Sequence, residues 1–383
     1  MKKLVVSAGQ ICLDVTPIAS PLAGDDFKKH IEPGHMVPML GMDMCIGGSV
    51  GNTGLGLAKL GQDAFDVRVI AKLGDDITGR IVQDILKGHP VIDGTVVEEN
   101  TATAYTLTLT PAGVDKRTFF HCPGASARFS AADIDFEGIR DAVLFHFGYP
   151  GTMDRMYPND GEELVRMMER AHALGMATSL DMSPIEETSN AARCDWNYIL
   201  KRTLPFVDFF VPSIEEMLLM FKPERRDELR RRAAEENRDI TELVSLEEDV
   251  EPLARQAIEY GAAIVLLKCG VPGVYFCTAG EERLKKIGKN LGLDAGKWAD
   301  LGWFEKSFVP ERIASATGCG DTTIAAFLTG VIEGMLPEKC MQYALATGAC
   351  CVASYDTLGG LLPLDQLEKK IQAGWPRVTV EIS

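Results

Sequence analysis

Several absences narrow the field before any motif is considered. No apolar run in the chain approaches the ~20 residues that a membrane span needs. None of the ten cysteines (Cys12, Cys45, Cys122, Cys194, Cys269, Cys277, Cys319, Cys340, Cys350 and Cys351) forms a C-x-x-C pair, and no Cys/His cluster has zinc spacing. Most lie among apolar neighbours, as in Ala349-Cys350-Cys351-Val352, which reads as reduced, buried, cytosolic thiols. Positive charge is scarce: 39 Lys and Arg stand against 55 Asp and Glu, a net charge of −16. Such a field repels phosphate backbones and anionic lipid, which argues against nucleic acid and membrane surfaces as partners. There is no G-x-x-x-x-G-K-[ST], so a Walker-type loop is excluded, and no G-x-G-x-x-G follows the first strand-like run. Internal repeats and low-complexity tracts are missing too.

What is present is a long, apolar-rich chain: 383 residues, 46% of them hydrophobic, ample for a substantial core. Met1-Lys2-Lys3-Leu4-Val5-Val6 is too short in its apolar part for a signal peptide and reads as a first strand, so the expected compartment is the cytoplasm. Strand-like and helix-like segments then alternate. Leu4–Leu13, Val67–Ala71, Ala142–Phe147, Ala177–Leu180, Phe206–Val211 and Ala263–Leu267 read as strands. Gly51–Leu60, Asp75–Leu86, Glu162–Leu174 and Glu251–Tyr260 read as helices. This alternation predicts an α/β three-layer sandwich around a mostly parallel sheet. Two stretches break the rhythm, about 14–45 and 101–122. The second alternates polar with apolar, so one of its faces is wet, and together they are expected to form a small β-sheet lid. A third stretch, about 222–251, is dense in charge and reads as a solvated helical insertion.

The most informative segment is Ser315-Ala316-Thr317-Gly318-Cys319-Gly320-Asp321-Thr322-Thr323. Ile324, Phe327, Leu328, Val331, Ile332 and Met335 follow at helical spacing, so the glycines precede a helix N-terminus. Unpaired N–H groups and the positive dipole end there can hold an anion, and glycine lets the backbone come close. A carboxylate in the first turn stands at the edge of that anion site, placed to take a hydroxyl proton in phosphoryl transfer. Read alone, the same residues serve equally well as a capped helix behind a Gly-rich turn.

Thr317-Gly318-Cys319-Gly320-Asp321 resembles the second signature of the ribokinase-like (PfkB) carbohydrate kinases, usually D-T-x-G-A-G-D. The resemblance implies that Asp321 is the catalytic base and that the N–H groups of Cys319, Gly320 and Asp321 make an anion hole beside Gly318, with Thr317 on the nucleotide. Cys319 replaces the usual Ala. Ser315 replaces the first Asp, in a region that helps hold a monovalent cation in the family, so such a cation stays open here. Gly47-Gly48-Ser49-Val50-Gly51-Asn52-Thr53 with Leu57-Ala58-Lys59-Leu60-Gly61 is similar to the family's first signature. By that likeness Asp14, Gly47, Gly48 and Asn52 bind the acceptor's hydroxyls. Val211-Pro212-Ser213-Ile214-Glu215-Glu216 resembles its N-x-x-E motif, with Ser213 for Asn and Glu216 supporting magnesium; an ordinary Ser cap explains it equally well. Leu267-Lys268-Cys269-Gly270-Val271-Pro272-Gly273-Val274 resembles the nucleotide turn, which puts Lys268, Gly270 and Gly273 on the nucleotide. Thr118-Phe119-Phe120-His121-Cys122 resembles the lid's return, with His121 read as structural.

These matches occur in the family's order from Asp14 to about Leu362, and they imply one ribokinase-like domain over 1–383. The implied function is transfer of the ATP γ-phosphate to a sugar or polyol with Mg²⁺, by a chain that pairs through its lid. A nucleoside or sugar-phosphate kinase of the same family, or a binding or regulatory protein that kept the fold, are the alternatives.

Overall fold

The computed structural model describes residues 2–19, 33–34, 36–61, 63–109, 118–380 and 382. In chain order its strands are β1 (Lys3–Gly9), β2 (Cys12–Ala19), β3 (Met39–Gly47), β4 (Phe65–Ile70), β5 (Lys72–Gly74), β6 (Val91–Asp93), β7 (Val96–Glu98) and β8 (Tyr105–Leu109). They continue as β9 (Thr118–Cys122), β10 (Leu144–Gly148), β11 (Ala177–Asp181), β12 (Phe209–Phe210), β13 (Ile264–Lys268), β14 (Gly273–Thr278) and β15 (Gly302–Lys306). The principal helices are α1 (Leu55–Leu60), α2 (Ile77–Lys87), α3 (Pro158–Ala173), α4 (Trp196–Thr203) and α5 (Ile214–Phe221). After them come α6 (Pro223–Glu236), α7 (Glu251–Glu259), α8 (Cys319–Ile332), α9 (Pro337–Val352) and α10 (Leu364–Gln372).

Nine strands form the central sheet in the order β15-β14-β13-β12-β11-β10-β1-β4-β6, parallel except where β14 and β15 turn back. Its inner strands, β10 to β13 among them, are buried on both faces, as a sheet covered on both sides requires. In β1, Val6 and Ala8 join a core under α3, α4 and α7, while Val5 joins the core under α1, α8 and α9. These are the three layers expected from the alternation. The order reverses between β10 and β1, and the crevice beyond the carboxyl ends of strands at such a point is where open α/β sheets bind ligands.

A separate sheet, β3-β2-β8-β9, forms the lid. The sequence reads Leu4–Leu13 as one strand ending at Asp14. Instead the chain leaves the central sheet at Gly9, φ +135°, where a Cβ would come 2.4 Å from the Gly148 carbonyl, and Asp14 lies within lid strand β2. Of the expected lid, residues 20–32, 35 and 110–117 lie outside the described residues. In the charged stretch, α6 does form, yet Leu229, Ala233, Ile240, Val244 and Val250 are buried in the core, so the stretch is docked as well as solvated. In α3, Asn159, Asp160 and Gly161 form a left-handed turn, and the regular helix begins near Glu162, as the spacing predicts. Among the described residues no helix is long and apolar enough to cross a membrane.

Candidate active site

Helix α8 starts at Gly318, whose φ of +74° suits glycine and whose Cβ would meet the Thr357 side chain at 2.4 Å. The turn before it is closed by the Thr317 N–H to Ser315 Oγ, 3.1 Å, and the Cys319 N–H to the Ala316 carbonyl, 3.3 Å. Three N–H groups were expected in the anion hole, and this turn takes one of them. The N–H groups of Gly320 and Asp321 make no hydrogen bond among the described residues, which leaves two donors at the positive end of a 14-residue helix. Cys319 is no nucleophile: burial pushes its thiol up to about 11, and its Sγ lies 3.5 Å from the Gly348 carbonyl.

Asp321 is buried, and three donors hold it. The Tyr149 hydroxyl reaches Oδ1 at 2.8 Å and Oδ2 at 2.9 Å, Thr53 Oγ1 donates to Oδ1 at 3.1 Å, and Asn52 Nδ2 to Oδ2 at 3.3 Å. Burial pushes the carboxyl above its ordinary range, against the pull of Tyr149, Lys268, Thr53 and Asn52. A buried, hydrogen-bonded carboxylate of raised basicity is what a general base needs. Asn52, read as an acceptor contact, is engaged at both ends within the chain, since its Oδ1 accepts from Thr357 Oγ1 at 3.2 Å.

Lys268 lies against the helix start, because a Cβ on Gly320 would meet its Cε at 3.3 Å. Its ammonium donates to Asp181 Oδ1 at 2.8 Å and to the Val211 carbonyl. Burial pushes Asp181 up to about 8, with Lys268 opposing and Glu216 and Asp321 adding to the rise. Burial works to lower Lys268, but Asp181 and Glu216 more than offset it and the amine stays charged. Glu216 caps α5: its Oε2 accepts the Ser213 N–H at 2.7 Å, and Ser213 Oγ accepts the Glu216 N–H at 3.3 Å. The cap takes one carboxylate oxygen, and Oε1 makes no bond among the described residues. The two other glycines assigned to the nucleotide have packing reasons of their own. A Cβ at Gly270 would meet Thr241 Oγ1 at 2.8 Å, and one at Gly273 the Glu305 carbonyl at 2.1 Å.

On the lid side, the Gly47-Gly48 pair explains itself sterically. A Cβ on Gly47 would fall 2.1 Å from Asp14 Oδ2, and one on Gly48 1.9 Å from Gln10 Oε1. Asp14 Oδ1 accepts from Cys12 Sγ at 3.2 Å, and Thr106 Oγ1 lies 3.1 Å from His121 Nδ1. By strand register Asp14, Thr106 and His121 share one face of the lid. Burial raises Asp14 and lowers His121, which is therefore neutral. The sequence reading missed Tyr149, Thr53 and Asp181. Tyr149 and Asp181 follow or end strands β10 and β11, and their position at carboxyl ends of parallel strands was the available signal.

The profile of the pfkB family carbohydrate kinases matches residues 29–363. Among curated proteins the chain is similar to fructokinase-1 of Oryza sativa subsp. japonica, at 30% identity over 38% of this chain and 41% of that protein. It also resembles 5-dehydro-2-deoxygluconokinase of Geobacillus kaustophilus, at 23% identity over 96% and 93%. The fructokinase matches span less than two thirds of those relatives, 41% and 62% for the two rice proteins. Among solved structures, a putative ribokinase II from E. coli in complex with ATP and Mg²⁺ superposes with a TM-score of 0.68 at 20% identity, over 97% of this chain and 100% of that one. A fructokinase from Xylella fastidiosa with bound ATP gives 0.67 at 18% identity, over 97% and 99%. At these identities the structural likeness establishes the ribokinase-like fold.

Proposed function

The chain belongs to the pfkB family of carbohydrate kinases, and from that premise we propose that it transfers the γ-phosphate of ATP to a hydroxyl of a sugar or related polyol. The observation that carries this reading is the juxtaposition at the start of α8: a buried carboxylate of raised basicity, Asp321, in the same turn as two unpaired N–H groups. The acceptor's hydroxyl gives its proton to Asp321 as its oxygen bonds to the γ-phosphorus, the bond to the bridging oxygen breaks, and ADP leaves. The Gly320 and Asp321 N–H groups meet the charge that develops on the phosphoryl oxygens, with Lys268 alongside. ATP as donor accords with the ATP-bound relatives. Mg²⁺, when bound, offsets phosphate charge; the open Oε1 of Glu216 fits a role in holding it, and a field of −16 makes local neutralisation necessary. Ser315 stands where the family carries an Asp, and its Oγ already accepts the Thr317 N–H at 3.1 Å, which argues against a monovalent cation there without closing the question.

Asp14 supplies the acceptor's anchor. A carboxylate there repels a second phosphate, which favours an unphosphorylated acceptor over a sugar phosphate. The opposite face of the lid carries Met42, Met44, Tyr105 and Phe120, all well exposed, and a second copy of this chain is the occupant we assign to it. A single-chain mass in sedimentation would exclude that pairing. The function itself is tested by following ADP release over a panel of sugars, polyols, nucleosides and sugar phosphates. Turnover of unphosphorylated sugars or polyols supports the reading; turnover of phosphorylated sugars or nucleosides alone, or of nothing, overturns it.

A further inference from the structure

We propose that Tyr149 guards the base: without acceptor, its hydroxyl occupies the place that the acceptor's hydroxyl must take, and so keeps Asp321 from activating water. The inference rests on the kinase reading above and concerns the same site.

A carboxylate offers about four lone-pair sites. Here Thr53 donates to Oδ1 and Asn52 to Oδ2, and the Tyr149 oxygen, with its single proton, stands 2.8 and 2.9 Å from the two oxygens, so a hydroxyl that is to take that place between them must displace it. Two of the donors are fixed. Asn52 is tied at its other end to Thr357, and Asn52 and Thr53 are both buried in the turn that precedes α1. Tyr149 differs, because Asp321 is the only hydrogen-bond partner of its hydroxyl among the described residues. Its backbone is pinned: the N–H donates to the Asp181 carbonyl at 3.2 Å, and its carbonyl accepts from the Thr152 N–H at 3.1 Å and Thr152 Oγ1 at 2.8 Å. These bonds hold a non-glycine residue at φ +68°, which aims the ring at Asp321 from the end of β10. Release therefore needs only rotation of the side chain.

The occupant has the right chemistry, an O–H donating to a base as a substrate alcohol does. Burial, with Asp321, Asp181 and Glu216 nearby, raises the phenol well above its usual range, so it remains a donor. The need for such an occupant is plain. An open base beside a bound γ-phosphate would let water attack phosphorus: the water's proton passes to Asp321, the bond to the bridging oxygen breaks, and ADP and phosphate leave. A hydroxyl held elsewhere by Asp14 can compete for Asp321 by virtue of that anchoring, whereas a free water has no such help.

The test is the rate of acceptor-free ADP release with Mg·ATP, which requires no knowledge of the natural acceptor. Tyr149→Phe removes one oxygen and keeps the ring, and Tyr149→Leu serves as a second truncation. Both are expected to hydrolyse ATP about ten- to a hundredfold faster than the wild type, the equivalent of one hydrogen bond to a charged group. Adding Asp321→Asn to Tyr149→Phe should return hydrolysis to the wild-type level. Unchanged or slower hydrolysis in both folded variants overturns the proposal, as does a rise that persists with Asp321→Asn. A wild type that phosphorylates no acceptor would defeat the kinase reading by a separate assay.

Discussion

Replacing Asp14 with Ala should weaken acceptor binding and leave nucleotide binding alone. The carboxylate is largely buried, yet its close partners within the chain are a thiol at 3.2 Å and the Thr106 hydroxyl. A thiol is a weak donor, so much of the carboxylate's accepting capacity is left for a ligand. Burial raises its pKa, so desolvation has not been fully offset by the protein. A polyol that donates one hydrogen bond to it gains about 1.5–3 kcal/mol, the range for bonds to charged groups. Asp14→Ala should then raise the acceptor KM about ten- to a hundredfold. The methyl group fits where the longer side chain lay over Gly47, so the lid is expected to keep its register. The ATP KM should stay near its wild-type value, because Asp14 stands in lid strand β2, which carries none of the residues assigned to the nucleotide. The assay is steady-state kinetics with each substrate varied in turn. An unchanged acceptor KM, or a parallel rise in both KM values, would refute the reasoning.

Two further outcomes follow from the site and its surroundings. Glu216→Gln keeps an oxygen for the Ser213 N–H, so the cap of α5 and the fold should survive, while the magnesium concentration for half-maximal rate rises; an unchanged magnesium dependence in a folded, active variant would remove Glu216 from that role. His146 lies fully buried between Ser49 and Ser179, and burial together with Lys268 pushes it from 6.5 down to about 3. The unfolded chain therefore binds a proton that the native state refuses, and stability should fall as pH drops below 6.5 and go on falling to about 3. The contribution is about 1.36 kcal/mol per pH unit, and His146→Asn should flatten the urea-measured pH slope by that one proton.

Much of this site was legible because its parts are local in sequence. The Gly318-Cys319-Gly320-Asp321 run ahead of an apolar helical face places a carboxylate at a helix start by spacing alone, and α8 begins there. The Gly47-Gly48 pair was legible as a close approach, but its tenants arrive from elsewhere in the chain, Asp14 from strand β2 and Gln10 from the link between β1 and β2. What spacing could not supply was anything assembled across the sheet. Tyr149 and Asp181 reach Asp321 and Lys268 only because β10 lies beside β1 and β11 lies one strand from β13 in the folded order, and no local pattern around either residue states that order. The Cys319 N–H was counted as an open donor because the Ala316 carbonyl that takes it belongs to a turn whose closure depends on φ values invisible in the sequence. The break between β1 and β2 was hidden for a similar reason. Leu4–Leu13 is mostly apolar, broken only by Ser7 and Gln10, and the contact of Gly9 with Gly148 shows where the chain leaves one sheet for the other.

The most direct test of the central claim is the turnover of Asp321→Asn. The substitution preserves size and can still accept from Tyr149, Thr53 or Asn52 through its carbonyl, but it cannot take a proton. General base catalysis is worth about a hundred- to ten-thousandfold. We expect kcat to fall by at least about a hundredfold with the ATP dissociation constant little changed, and the acid limb of the wild-type pH profile, set by the raised Asp321 pKa, to vanish from the residual rate. An Asp321→Asn enzyme that keeps more than about a tenth of the wild-type kcat, with chemistry shown to limit the rate, would contradict the account.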